Sequence, residues 1–179
     1  MDILISSNLE RFLYHITGCD DQAVAGWMAE LSEKGIYEVP DGIKAKIQDI
    51  FYGGCCDDEK TLETIAAVHA ETGYVMDTHT AVAKRVYDEY KQETGDKTKT
   101  VIVSTASPFK FCDSVLTALA GEEAVAPLDE FALLDALAEK AELVVPAPLA
   151  GLATKPVIFT TTCDKEEMYD VVSHMLNLS

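Results

Sequence analysis

The segment Thr100-Val101-Ile102-Val103-Ser104-Thr105 constrains this chain more than any other. β-Branched residues dominate it, and its apolar positions do not alternate, so it predicts a strand buried on both faces, as in a parallel sheet. One further strand is expected, at Pro156-Val157-Ile158-Phe159-Thr160. The rest of the chain reads as helix and turn. So few strands make a poor autonomous α/β domain, because a parallel sheet needs neighbours to satisfy its edges. The missing strands are therefore expected from elsewhere, and the chain reads as one piece of a larger α/β fold.

The helical stretches carry their own punctuation. Ser6-Ser7-Asn8 precedes the stripe Leu9, Phe12, Leu13 and Ile16, which is expected to stop at Gly18. Asp20 or Asp21 can cap a run through Val24, Trp27, Met28 and Leu31 that ends at Gly35. Pro40 begins a third stretch with Ile43, Ile47, Ile50 and Phe51 on one face. After Gly53-Gly54, Asp57-Asp58 stands ahead of a helix whose stripe contains Leu62, Ile65, Ala66 and, at its edge, His69. A longer helix is expected from Thr80, with Val82, Val86, Tyr87 and Tyr90 aligned, ending near Gly95-Asp96. Pro108 opens a helix through Leu119, another spans Leu128 to Ala141, and a last one runs from Asp164 through Met175. Nothing marks a linker or a repeat, so residues 1–179 are taken as a single segment.

Charge and cysteine content narrow the partners. Against 31 Asp and Glu the chain sets 14 Lys and Arg, a formal charge of −17 that repels nucleic-acid phosphates and anionic membrane surfaces. No run approaches the ~18 apolar residues of a membrane span, and the first residues lack a basic-then-apolar leader, so a cytoplasmic location is expected. Cys19, Cys55, Cys56, Cys112 and Cys163 include no CxxC pair, which indicates neither a disulfide framework nor a zinc site.

Two clusters could carry chemistry. Ser104-Thr105-Ala106-Ser107-Pro108-Phe109-Lys110-Phe111 places hydroxyls at the carboxyl end of the main strand, where open α/β sheets bind ligands. Such a hydroxyl can donate to a pyridine nitrogen, whereas a structural role has Thr105 or Ser107 capping the next helix. Asp77-Thr78-His79-Thr80-Ala81 sets a carboxylate, an imidazole and two hydroxyls at a helix start. Either the cluster faces a cleft, or Asp77 or Thr78 is an ordinary N-cap with His79 on the surface. Motifs for nucleophilic hydrolysis, HExxH metal chemistry and glycine-rich phosphate binding are lacking.

Met1-Asp2-Ile3-Leu4-Ile5-Ser6-Ser7-Asn8-Leu9-Glu10-Arg11 resembles the "MDIL-SSN-ER" segment of bacterial and fungal threonine synthases. Asp77-Thr78-His79-Thr80-Ala81-Val82 is similar to that family's "DPHTAV", and Ser104 to Phe111 looks like its "STAHPAKF", in family order. The resemblance implies the helix-rich C-terminal part of a fold-type-II pyridoxal 5'-phosphate enzyme, with the three-layer αβα architecture of the tryptophan synthase β relatives. It also implies a lyase of threonine biosynthesis that converts O-phospho-L-homoserine and water to L-threonine and phosphate. The Schiff-base lysine, the phosphate-holding loop and most of the substrate-phosphate site are then expected upstream, in a missing N-terminal part. This chain alone would be inactive. Thr105 is implied as the hydroxyl that meets the ring nitrogen, with Ser104 in support. Asp77, His79 and Thr80 are implied near the active-site cleft without individual roles. Lys110 matches the lysine of "HPAKF" and is not expected to carry the cofactor. Thr78 replaces the family's proline and Ser107 its histidine, which leaves open family variation, a fold-type-II paralogue with altered substrate, or lost activity; a separate alternative is a stand-alone non-catalytic domain that uses the strand-turn-helix to bind a small anion or a partner subunit.

Overall fold

The computed structural model describes residues 5–178, so the Met1–Leu4 part of the first motif lies outside the described residues. The chain divides into two compact units, one ending at Leu143 and the other beginning at Val144.

In the first unit α1 (Ser7–Ile16), α2 (Asp21–Lys34) and α3 (Asp41–Gln48) come first, followed by α4 (Asp58–Thr72) and α5 (Thr78–Thr94). Each start has a chemical cause. The side chains of Ser6, Asp20, Asp57 and Asp77 accept the otherwise unpaired amides of the first turns of α1, α2, α4 and α5. α2, α4 and α5 stop at Gly35, Gly73 and Gly95, whose left-handed φ of 74°, 73° and 67° an L side chain adopts only at a cost.

Beyond residues 95–107 a 3₁₀ turn at Pro108–Phe111 leads into α6 (Cys112–Ala120), then α7 (Glu122–Val125) and α8 (Glu130–Ala141). Pro108 therefore opens a 3₁₀ turn and not the α-helix itself. The α-helix begins at Cys112 after the Ser107 hydroxyl has accepted the Phe109 amide at 3.3 Å.

α4 packs between α5 and α6, and α6 also packs on α8. Ile65, Ala81, Val115, Leu116 and Leu137 are buried. Removing each large aliphatic side chain from water contributes roughly 1.5–3 kcal/mol before the entropy of ordering is subtracted. Leu13 and Val24 form a smaller buried cluster where α1 packs on α2. Between α3 and α4 the chain passes so close to α5 that a Cβ on Gly54 would lie 2.7 Å from Val86 Cγ1. Tyr52 adds a hydrogen bond to Glu93 at 2.7 Å and an edge contact with Tyr90.

The second unit holds short 3₁₀ turns at Leu152–Thr154 and Lys165–Glu167, then α9 (Met168–Met175). The Asp164 amide donates to the Glu167 side chain at 3.2 Å at the start of the second turn. None of its described residues is buried.

Among the described residues no strand forms. Both expected strands, at Thr100–Thr105 and Pro156–Thr160, lie without ladder partners, and their apolar side chains face solvent, Val101 being 81 % and Phe159 90 % exposed. A strand exists only with a neighbour to receive its amides and carbonyls, and among the described residues neither segment has one. No described helix is long and apolar enough to cross a membrane.

Candidate functional site

Asp77 is the N-cap of α5, but its surroundings differ from those of an ordinary cap. Val75 and Met76 lead the chain inward, so the carboxylate is fully buried (0 % exposed). Its Oδ1 accepts the amides of His79 at 2.9 Å and Thr80 at 3.2 Å, and its Oδ2 accepts the Thr80 hydroxyl. A buried carboxylate without such donors would cost several kcal/mol, so both amides and the hydroxyl belong to what keeps it inside. The positive end of α5 adds to this.

Thr80, itself buried, reaches beyond the cap. Its Oγ1 lies 3.3 Å from Ser104 Oγ, and the Tyr74 hydroxyl donates to the same Ser104 oxygen at 3.4 Å. Two clusters far apart in sequence are thus joined. Ser104 and Thr105 are exposed, and no described group pairs with the Thr105 hydroxyl. The capping alternative is resolved between the two candidates: Ser107, not Thr105, caps the turn that follows.

His79 takes a separate direction. Its ring stacks at a tilt on Phe111, centroids 5.0 Å apart, with Nδ1 3.4 Å from Thr78 Oγ1 and 3.7 Å from Asp77 Oδ1. His79 and Phe111 line a cleft of about 620 Å³ whose wall also includes Cys56, Asp58, Thr78 and Asp113. Ser104 and Thr105 do not line it. Two carboxylates on that wall oppose a phosphate dianion, so the cleft is unsuited to holding a phosphate group. Lys110 is exposed, with Nζ 5.6 Å from the Phe111 ring centre. Such a solvated ammonium lacks the desolvation that prepares a lysine for covalent chemistry. The described residues contain no cluster of His, Cys, Asp or Glu able to hold a metal ion.

Tyr74 was not singled out in the sequence. Residues 74–77 precede the helix, so no periodicity connects Tyr74 to Asp77 or Thr80. The only signal is an aromatic hydroxyl ahead of the apolar pair that buries Asp77.

Comparisons with known proteins bear on the same residues. Residues 80–172 match the family described as "Threonine synthase, C-terminal". The chain is 34 % identical over 127 residues to threonine synthase of Pseudomonas aeruginosa, an alignment covering 71 % of this chain and 27 % of that protein. It is 33 % identical over 120 residues to human threonine synthase-like 1, covering 66 % of this chain and 16 % of that protein. The crystal structure of PLP-bound threonine synthase from Brucella melitensis superposes on 97 % of this chain with a TM-score of 0.68 and 28 % identity, covering 33 % of that protein. The chain thus spans about a quarter or less of these curated relatives and a third of the solved structure. With a family match over more than half its length, agreement in fold, and the second and third motifs joined in space, the chain belongs to the threonine synthase family.

Proposed function

We propose that this chain supplies one wall of the cofactor site in a threonine synthase that converts O-phospho-L-homoserine and water to L-threonine and phosphate. The observation that carries the reading is the exposed, uncommitted hydroxyl of Thr105, adjacent to a serine tied to the buried Asp77–Thr80 pair. Those residues fit one edge of pyridoxal 5'-phosphate, its ring nitrogen. Thr105 would donate to that nitrogen, and a neutral donor would leave it unprotonated where a carboxylate partner would hold a proton on it. When bound, the cofactor supplies an electron sink for carbanion chemistry. The cofactor-bearing lysine and the phosphate-binding groups come from outside this chain, in keeping with an acidic cleft and a solvated Lys110.

In the complete enzyme, unpaired segments 100–105 and 156–160 are strands of a three-layer αβα fold whose other strands lie outside this chain. The exposed apolar side chains of both segments support that reading. The test is phosphate release from O-phospho-L-homoserine by the assembled enzyme. Thr105→Val should lower kcat, and unchanged kinetics in that variant would remove Thr105 from the site.

A fold-type-II phospho-lyase with another substrate is a second reading. It is favoured by Thr78 and Ser107 where the family motif has proline and histidine. Turnover of phosphothreonine or phosphoserine in preference to O-phospho-L-homoserine would establish it.

A further inference from the structure

We propose that Tyr74, Ser104, Thr80 and Asp77 form a one-directional hydroxyl relay that fixes the backbone at Ser104–Thr105 and leaves Thr105, not Ser104, with a proton to donate. The proposal rests on the assignment of this edge to the cofactor ring and gives positioning roles to the four relay residues, none of which donates to it.

The direction follows from counting protons. A carboxylate can only accept, and Asp77 Oδ2 sits closest to Thr80 Oγ1, so it takes the single hydroxyl proton of Thr80. Thr80 Oγ1 then has only lone pairs to offer, so across the 3.3 Å separation Ser104 is the donor. With its proton spent, Ser104 Oγ accepts from Tyr74, 3.4 Å away, and the phenol proton begins the chain. Turning the Thr80 proton away from Asp77 would leave the carboxylate facing a lone pair inside a fully buried site, and turning the Ser104 proton away from Thr80 would set two hydroxyl lone pairs against each other. Ser104 is therefore an acceptor toward any further group, and a lone pair directed at a pyridine nitrogen is repelled. Its neighbour Thr105, with no partner among the described residues, keeps its proton.

The relay has a mechanical consequence as well. Residues 100–106 lack ladder hydrogen bonds, and their apolar side chains at Val101 and Val103 face solvent. Ser104 ties that run to the packed core at α5 through a side-chain hydrogen bond. Severing the tie should loosen Ser104 and Thr105 without disturbing the helix.

The experiment is ¹⁵N relaxation on this chain without cofactor, comparing the native residue with Thr80→Val, Thr80→Ser and Ser104→Ala. Native Ser104 and Thr105 amides are expected near the rigid-backbone order parameter of about 0.85, falling below about 0.6 in Thr80→Val and in Ser104→Ala. Thr80→Ser keeps the hydroxyl and restores the native value. The Ala81 amide stays rigid throughout and reports that α5 has formed. Ser104→Ala alters an exposed position and guards against misfolding of the buried variant. Unchanged order at Ser104 and Thr105 in either disrupted variant, or no rescue by serine, overturns the relay. A second readout follows the ¹⁵N shift of the ring nitrogen of labelled pyridoxal 5'-phosphate in the assembled enzyme. It should move furthest in Thr105→Val, which removes the donor, and less in Ser104→Ala, which only loosens it; the reverse order overturns the donor assignment. If the assembled enzyme binds no cofactor, the proposed function fails while the relaxation result still decides the relay.

Discussion

Replacing Asp77 by alanine tests the burial argument when paired with the same change at Asp57. Both aspartates cap a helix. Asp57 Oδ1 accepts the Lys60 amide at 2.9 Å, and its side chain is 60 % exposed. Asp77 accepts two amides and a hydroxyl at 0 % exposure. Losing an aspartate cap costs about 1 kcal/mol, the expected penalty for Asp57→Ala, because water takes over the released amide. At Asp77 water cannot enter without disturbing the packing around Val75, Met76 and Ala81, so the buried Thr80 amide is left without an acceptor, while the Thr80 hydroxyl can still turn to Ser104. A buried donor without a partner adds about 1–3 kcal/mol, which brings Asp77→Ala to roughly 2–4 kcal/mol. Urea unfolding followed by circular dichroism measures both. With a slope of about 2 kcal/mol per molar, the midpoint should fall by about 0.5 M for Asp57→Ala and by about 1–2 M for Asp77→Ala, at unchanged slope. Equal losses from the two substitutions would refute the claim that Asp77 does more than cap α5.

Other expectations follow from single groups. Hydrogen bonds from the Thr98 hydroxyl and amide, and then from the Tyr90 hydroxyl, hold Asp96 well below the usual carboxylate range, at about 2. Its contribution to stability is thus present above the unfolded value of about 4 and lost as pH falls through about 2. An NMR titration of the Asp96 carboxyl carbon checks this, and Tyr90→Phe with Thr98→Ala should return it toward 4. Burial first, and then the charge of Asp113, pushes the Cys112 thiol up to about 11. Its contribution is present below the ordinary thiol value of about 8.5 and lost as pH rises through 11. At pH 8 a thiol reagent should label exposed Cys19, Cys55 and Cys163 well before Cys112, as peptide mass spectrometry will show. Leu137→Ala, at a fully buried position in α8, should cost about 2–5 kcal/mol in the same urea assay.

Much of this fold was legible because its punctuation is local. Asp20 and Gly35, or Asp57 with the helix behind it, act within one turn of the elements they bound, so residue chemistry alone locates them. The strands could not be read as structure in the same way. Thr100–Thr105 has strand composition, but a ladder is a property of a pair, and no described residue pairs with it. Pro108 opens a 3₁₀ turn ahead of the α-helix, a distinction its fixed φ does not encode because that φ suits both. In the site, Asp77 as an N-cap was visible from sequence, whereas its burial and its link through Thr80 to Ser104 depend on segments 24 residues apart. Tyr74 is illegible as a site residue for the same reason, its partner Ser104 lying 30 residues away. The separation of His79 onto the cleft and of Thr80 toward Ser104 follows from the α5 helix, which turns adjacent side chains in different directions.

The central claim, that this chain forms a cofactor-site wall and not the cofactor-bearing part, is tested most directly by reduction with borohydride after mixing the chain with pyridoxal 5'-phosphate. Peptide mass spectrometry then locates any pyridoxyl group. We predict no stoichiometric modification at a defined lysine of this chain, Lys110 included. One lysine labelled to completion at stoichiometric cofactor would contradict the account.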